Sequence, residues 1–465
     1  MTPSQARLVD TLRDRFGPDI ALTDAADIAP WLTDWRGRWT GSSDALLQPA
    51  STDQVAAIVR LAGEDGVALV PQGGNTSMVG GATPPEDSSA LILSLRRMNH
   101  IRAIDGHHAV AEAGVILSNL HDAAEKVGAR FPLTLGSRGS ATIGGLASTN
   151  AGGTQVLRFG TMRGLVAGVE AVLPDGSIHS GLSGLKKDNR GPSIDQLMIG
   201  AEGTLGVITA VRLRLVPPVA MRAVAWVGLE SPADALALLR SIEARTEQVE
   251  GFELLRDDSL QAVIAHIPGT RSPLFSRHPW HVLIEATAHA GQDDPQSLLE
   301  GMLSTPLVKD AAIASSEAQA EAFWRIRDSL SEAERLAFGP ATQHDISVPI
   351  DALPAFLSDA TARVETAFPG TRASGFGHLG DGNIHFHVRA GDRARADWVA
   401  TEGLEVMRLV DDLVTKAGGS ISAEHGIGQM KRDELARLAP DRVATLRAIK
   451  SALDPDNLMN PGKLV

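Results

Sequence analysis

The chain has 465 residues, 43% of them apolar and 21% charged, and a formal net charge of −13. This is the composition of a soluble globular protein with room for two or three domains, and its acidity argues against a nucleic-acid partner. The absence of Cys and Tyr excludes disulfides, thiolate catalysis, Fe–S clusters and phenolic acid–base chemistry. Any metal must then sit on His, Asp or Glu.

The N-terminal run MTPSQARLVDTLRDRFG is charged and amphipathic, unlike the apolar centre of a secretory signal. No stretch reaches the length of a membrane span, so a cytoplasmic location is expected and an integral membrane protein is not. Residues 1–40 read as helical, with Trp31, Trp35 and Trp39 spaced by four as a packing face. After Pro49 come a helix, a short buried strand (Val67–Val70) and a glycine turn. Strand-like and glycine-rich pieces then alternate to about residue 215, which suggests an α+β sheet domain.

Pro217 and Pro218 mark a boundary. Strand-like and helical pieces alternate from there to about residue 415, as in one antiparallel or mixed sheet covered by helices. The last fifty residues form a glycine-flanked polar loop, a helical stretch and an extended tail that only docking could order. The expected domains are 1–216, 217–415 and a C-terminal segment, 416–465, carrying an active-site loop.

The densest motif follows the Val67–Val70 strand. Pro71-Gln72-Gly73-Gly74-Asn75-Thr76-Ser77-Met78-Val79-Gly80-Gly81 holds enough glycine and small polar residues for backbone amides to nest around an anion. It is neither a Walker A loop nor the Gly-x-Gly-x-x-Gly fingerprint. The same chemistry recurs at Leu135, Gly136, Ser137, Gly139, Thr142, Gly144 and Gly145, at Ser148, Thr149, Asn150, Gly152 and Gly153, and at Glu202, Gly203, Gly206, Val207 and Ile208. Glycines spread along so much backbone suit a long flat ligand, a dinucleotide before a mononucleotide.

These segments, in this order, resemble the FAD domain of the vanillyl-alcohol-oxidase-type flavoproteins. PQGGNTSMVGGATP, LRFGTMRGLVAGVEAVLPDG, LKKDNRG and IGAEGTLGVIT look closest to the D-2-hydroxyglutarate dehydrogenases of that family, and the D-lactate and glycolate enzymes share much of the pattern. The resemblance covers most of the chain. It implies a two-part FAD-binding domain, an α/β substrate domain, and a C-terminal helical segment that returns to the FAD domain; Asn460 in the tail joins the cofactor residues. Some relatives attach FAD through a His after the Gly-Gly of the first loop. Asn75 stands there in this chain, so FAD is expected to bind noncovalently.

The second motif is Gly377-His378-Leu379-Gly380-Asp381-Gly382-Asn383-Ile384-His385-Phe386-His387. If Gly380–Asn383 forms a hairpin loop, His378 and His385 become cross-strand partners with Cβ atoms roughly 5 Å apart, close enough to share a cation. His387, two residues on, shares the face of His385. Glu424 and His425, among small residues, can add a carboxylate ligand and a base. Two His and one Glu leave an open position, as catalytic zinc sites do, and would also take Fe(II) or Mn(II). The resemblance implies the same set: metal on His378, His385 and Glu424, zinc first, with His425 as the catalytic base.

Phe323–Ser331 reads as helical, with Arg327 and Ser331 on one face. By pattern alone this is a solvated helix. The resemblance makes Arg327 the guanidinium that forks onto the substrate carboxylate, with a hydroxyl, here Ser331, one turn later. Two positions depart from the hydroxyglutarate enzymes: Gln343 replaces a Lys, and His387 replaces an Asn. With one cation missing, Ser331, Gln343 and His387 are the candidate donors to a second carboxylate.

The resulting expectation is an FAD-dependent dehydrogenase for a D-2-hydroxy acid, most closely D-2-hydroxyglutarate, with D-lactate or glycolate as the alternative. Expected partners are the hydroxy acid, an electron acceptor such as an electron-transferring flavoprotein or a quinone, and a second copy of the chain in a homodimer. Rival readings are a metallohydrolase built on the His cluster and an idle flavin-binding module.

Overall fold

Local signals set the first elements. Thr2 and Gln5 form a capping box and Pro3 opens the helix Pro3–Phe16, which ends at Gly17 with φ 90°. Ser51 caps the helix Thr52–Asp65, and Gly66, in the left-handed region, closes it. The computed structural model describes the backbone of residues 1–465 and every side chain except that of residue 392.

The chain forms two units. The first holds Met1–Gly153, Phe159–Pro218 and Glu424–Val465; the second holds Thr154–Arg158 and Val219–Ala423.

In the first unit, strands Ala21–Leu22, Leu46–Leu47, Ala90–Ser94 and Ala68–Gln72 make a four-stranded sheet in that order, its last three strands parallel. A five-stranded antiparallel sheet runs Ile101–Ile104, His108–Glu112, Val207–Arg214, Val166–Val172, Ile178–Ser180. Val172 and Val207 of the second sheet pack in one cluster with Leu47, Leu69 and Leu93 of the first. The C-terminal tail docks beside Leu69, whose amide donates to Leu458 and whose carbonyl accepts from Asn460, both at 2.8 Å.

The tryptophan stripe expected on a helix is not one. Pro18 and Pro30 interrupt the N-terminal region, and Trp31 ends a short 3-10 turn, Ala29–Trp31. Trp35 and Trp39 lie in a loop closed by a bridge between Thr33 and Thr40. Asp34 Oδ1 shapes that loop by accepting the amides of Arg38 and Trp39 at 2.6 and 2.8 Å.

The second unit is one seven-stranded sheet, antiparallel throughout: Asp310–Ile313, Met221–Leu229, Trp280–Ala288, Val249–Arg256, Arg372–His378, Asn383–Arg389, Ala341–Ser347. Trp226 is fully buried in a cluster with Leu283, Phe323 and Phe376, which seats the helix Glu317–Asp328 on the sheet. Among the described residues, no helix is long and apolar enough to cross a membrane.

Candidate active site

The strand Ala68–Gln72 runs directly into the wall of a cavity of about 390 Å³ in the first unit. Pro71, Gln72, Gly73, Gly74, Asn75, Thr76, Met78, Val79 and Gly81 form one part of that wall. Leu135, Gly136, Ser137, Thr142, Gly144, Gly145, Ser148, Thr149 and Gly152 form another, and Glu202, Gly203, Gly206, Val207 and Ile208 a third. Backbone crowding explains the glycines at the first turn. A Cβ on Gly73 would lie 2.2 Å from Thr142 Oγ1, and one on Gly74 2.0 Å from the Ser140 carbonyl. Asn75 takes a positive φ of 54°, which Asn tolerates better than most residues. Its side-chain amide donates to the Thr33 carbonyl at 2.9 Å. That bond ties the glycine loop to the one carrying Trp35, which lines the cavity while 59% exposed.

Five residues expected at the cofactor do not line this cavity and have framework contacts or open space instead. Asn150 Oδ1 accepts from Thr161 Oγ1 and the Arg163 amide, both at 2.9 Å. Asn460 Nδ2 donates to the carbonyls of Gly81 (3.0 Å) and Glu202 (2.7 Å), joining two of the glycine segments. Gly80 and Gly153 back closely onto Gln429 and Thr134, and Gly139 faces open space.

Glu424 and His425 line the same cavity. Their loop is pinned by Glu202, whose two carboxylate oxygens accept the amides of Ile427 and Gly428, each at 2.7 Å. Burial pushes the Glu202 pKa up, against the pull of those two amides and of Lys431.

The second unit brings its own cluster together on one sheet face. Directly paired residues share a face, so the pairings His378↔Asn383, Phe376↔His385 and Ser374↔His387 put His385 and His387 on one side with His378. The turn spans Leu379–Gly382, with Asn383 already in the strand. His378 and His385 are therefore diagonal neighbours and not the direct partners expected from the motif. Their ring centroids are still only 5.7 Å apart. On the far side, Asp345 pairs with His385 and Gln343 with His387.

Glu253 pairs with His378 from the neighbouring strand. Its Oε2 accepts Arg327 Nε at 2.8 Å, and its Oε1 lies 2.5 Å from His378 Nδ1. Burial alone would raise the Glu253 pKa; Arg327 and His378 outweigh it and hold the carboxyl far below its ordinary range. Burial, with Arg327 and His378 nearby, drives the His385 imidazole well below its usual pKa, so it is neutral, the form that binds metal. Asp381 in the turn is pushed up to about 6 by burial.

His387 Nδ1 contacts Glu334 Oε2 at 2.8 Å. Ser259 Oγ donates to Glu334 Oε1 at 2.5 Å, and Arg389 pairs with the same carboxylate. Gln343, opposite His387, is exposed. Ser331 is exposed too, and it does not share an unbroken helix with Arg327. The first helix ends at Asp328, Ser329 caps both elements, and a second helix runs Leu330–Phe338.

Residues 43–181 match the family described as "FAD binding domain", and residues 219–464 match "FAD linked oxidases, C-terminal domain". The chain belongs to the FAD-linked oxidases. Among its relatives is the D-2-hydroxyglutarate dehydrogenase of Xanthomonas citri pv. viticola, 37% identical over 95% of this chain and 93% of that protein. The mitochondrial D-2-hydroxyglutarate dehydrogenase of Bos taurus is 36% identical over 97% of this chain and 82% of that one. A putative D-lactate dehydrogenase of Schizosaccharomyces pombe is 34% identical over 95% and 86%. Among solved structures, p-cresol methylhydroxylase superposes with a TM-score of 0.75 at 16% identity, covering 100% of this chain and 97% of that one. Alkyldihydroxyacetonephosphate synthase gives 0.74 at 18%, covering 99% and 85%. At those identities the structural likeness speaks for the fold.

As an FAD-linked oxidase the chain binds FAD, and its cavity fits that cofactor. Gln72 Oε1 and Thr142 Oγ1 are buried on lining residues without a hydrogen-bond partner, as groups awaiting a polar ligand are. Among the described lining residues there is no Lys or Arg. Backbone amides of the glycine loop are the donors such a wall offers to a diphosphate.

Sequence reasoning missed Trp35, Glu253 and Glu334. Trp35 was absorbed into a supposed helical stripe. Glu253 carried a readable signal, a single acid inside the apolar strand run GFELL, where a fully buried carboxylate demands partners.

Proposed function

We propose that the chain is an FAD-dependent dehydrogenase that oxidises D-2-hydroxyglutarate to 2-oxoglutarate. The observation that carries this reading is Arg327, set on a buried carboxylate beside His378 in a chain whose relatives along nearly its whole length are D-2-hydroxyglutarate dehydrogenases. A guanidinium matches a carboxylate in a planar fork, so Arg327 takes the C1 carboxylate of the substrate.

His425 is the base. Its imidazole removes the proton from the C2 hydroxyl oxygen, a task that falls to histidine more often than to any other side chain. FAD, when bound, supplies the acceptor for the C2 hydrogen as hydride. The donor chemistry fits a divalent ion: burial keeps His385 neutral, and its ring lies 5.7 Å from that of His378. Such an ion, zinc first, held by His378, His385 and Glu424, would supply Lewis acidity toward the substrate hydroxyl. His387, with Gln343 and Ser331, serves the second carboxylate.

FAD binding is noncovalent in this proposal, because Asn75 occupies the attachment position and the chain has no Cys. Acid precipitation then releases all yellow colour into the supernatant. An electron-transferring flavoprotein or a quinone is the acceptor class.

The test is an anaerobic bleaching screen of the purified flavoprotein with D-2-hydroxyglutarate, D-malate, D-lactate and glycolate. D-2-hydroxyglutarate should bleach the flavin stoichiometrically and fastest. Preference for D-lactate or glycolate would replace the dicarboxylate reading with a monocarboxylate one, and no bleaching by any of the four would remove the dehydrogenase.

A further inference from the structure

Glu253 and its two partners form a closed triangle in the second unit. Glu253 is 1% exposed. One oxygen takes Arg327 Nε, the other faces His378 Nδ1, and Arg327 Nη2 lies 3.1 Å from His378 Nε2. The third side decides the proton on the ring. A guanidinium can only donate, so His378 Nε2 must be the acceptor and the ring proton must sit on Nδ1, directed at Glu253. One carboxylate thereby holds the imidazole with its Nε2 lone pair directed at Arg327 Nη2, an N–H that a metal ion on Nε2 would displace. It also holds the guanidinium by its Nε edge.

We propose that Glu253 is a positioning residue for both halves of the site: it fixes His378 as the Nδ1–H tautomer for metal binding through Nε2 and aims Arg327 at the substrate carboxylate. The metal half rests on the reading of His378 as a ligand given above. Ligating histidines generally donate their second N–H to a carboxylate or carbonyl, which orients the ring and raises its basicity. Here the same carboxylate also holds the guanidinium, so metal affinity and substrate affinity respond to one side chain.

A purely structural strut would need the charge and the bulk of Glu253 but would be indifferent to the tautomer. Glu253→Gln separates the two. The amide has one acceptor atom for two donors, so either Arg327 loses its partner or His378 must accept at Nδ1 and carry its proton on Nε2, where it blocks the ligand atom. Glu253→Asp keeps the charge but is one methylene shorter and should recover part of the effect.

The first measurement uses the wild-type FAD-loaded protein after chelator treatment, labelled with 15N-histidine. The His378 signals, assigned by their loss in His378→Gln, should show a protonated Nδ1 and an unprotonated Nε2. The opposite tautomer overturns the proposal without reference to any variant. The second is a Co(II) titration of the same flavoprotein, followed by visible absorption. Glu253→Gln should raise the Co(II) dissociation constant by about 10- to 100-fold and raise KM for D-2-hydroxyglutarate, with Glu253→Asp in between. Unchanged Co(II) affinity and KM in Glu253→Gln would overturn the inference while leaving the metal reading intact. His385→Ala separates the two failures. If wild type and His385→Ala bind Co(II) equally, or neither binds, the metal reading falls and the metal half of this proposal falls with it. The tautomer measurement still decides the orientation of His378 and Arg327.

Discussion

Glu202 Oε2 accepts the backbone amide of Gly428 at 2.7 Å across 226 positions of the chain. Its other oxygen takes the amide of Ile427, so the loop carrying Glu424 and His425 is fastened to the glycine segment that helps wall the FAD cavity. Glu202→Gln leaves one of those two amides facing an NH2 group. An unsatisfied buried donor costs about 1–3 kcal/mol, and a base displaced by about 1 Å can lose on the order of 100-fold in rate. The variant should therefore lose at least about tenfold in kcat while retaining FAD. Steady-state kinetics beside the flavin content of the purified protein checks this, and loss of FAD with normal kcat per flavin would refute it.

The glycine loop has little tolerance at Gly74. A methyl group there would meet the Ser140 carbonyl, a backbone atom that cannot swing aside. Gly74→Ala should cost on the order of 1–3 kcal/mol through overpacking and should purify with less FAD than wild type. Gly139, with no atom near its Cβ position, is the matched control, and Gly139→Ala should stay fully yellow. Equal flavin content in the two variants would count against the assigned loop geometry.

His387 bears on substrate length. It is 5% exposed, with Nδ1 2.8 Å from Glu334 Oε2; as an imidazolium held by that carboxylate, and only in that form, it can also donate Nε2–H toward a distal carboxylate. His387→Ala should raise KM for D-2-hydroxyglutarate about tenfold, the loss of roughly 1.4 kcal/mol expected for one hydrogen bond to a charged group, and change KM for D-lactate much less. Parallel kinetics with both acids decides it; equal effects would remove His387 from the substrate site.

Lys463 makes stability depend on alkaline pH. It is 3% exposed and donates to Gln429 Oε1 at 3.0 Å, and burial, with Arg432 nearby, lowers its pKa to about 8. Between that value and the unfolded one near 10.5, the unfolded chain holds a proton that the folded chain has released, so this group's contribution rises with pH through that window. The chain has no Tyr or Cys and only eight Lys, so few other side chains titrate there. Lys463→Met should be favoured over wild type most strongly at pH 7.5. That advantage should shrink by on the order of 2 kcal/mol by pH 10.5. Urea unfolding at the two pH values measures it, and a constant difference would show that Lys463 titrates normally.

The glycine segments were legible because backbone crowding leaves a residue-type signature: Gly73 and Gly74 are needed where they stand, and the reading of a long ligand along backbone followed from their spread. A sheet covered by helices was legible in the second unit as strand–helix alternation, which left antiparallel and mixed order open. What the sequence hid was register and side-chain pairing. His378 and His385 were placed on one face, but the turn began one residue earlier than the Gly-Asp-Gly-Asn string suggested, because Asn383 pairs across to His378. Ser331 was set on the helix of Arg327 because periodicity does not register a break at a single residue, Ser329. Glu253 lies 74 positions from Arg327 and 125 from His378, and no local pattern links such distant residues.

The threading of the first unit imposes an order on its biogenesis. The residues that wall most of the FAD cavity leave the ribosome early, yet Glu424, His425 and the tail that docks beside Leu69 come only after the whole of Val219–Ala423 has been made. A chain under synthesis therefore lacks two residues of the cavity wall until Glu424 and His425 have been made. A chain ending before Glu424 would lack both of those wall residues as well as the tail that pairs with Leu69.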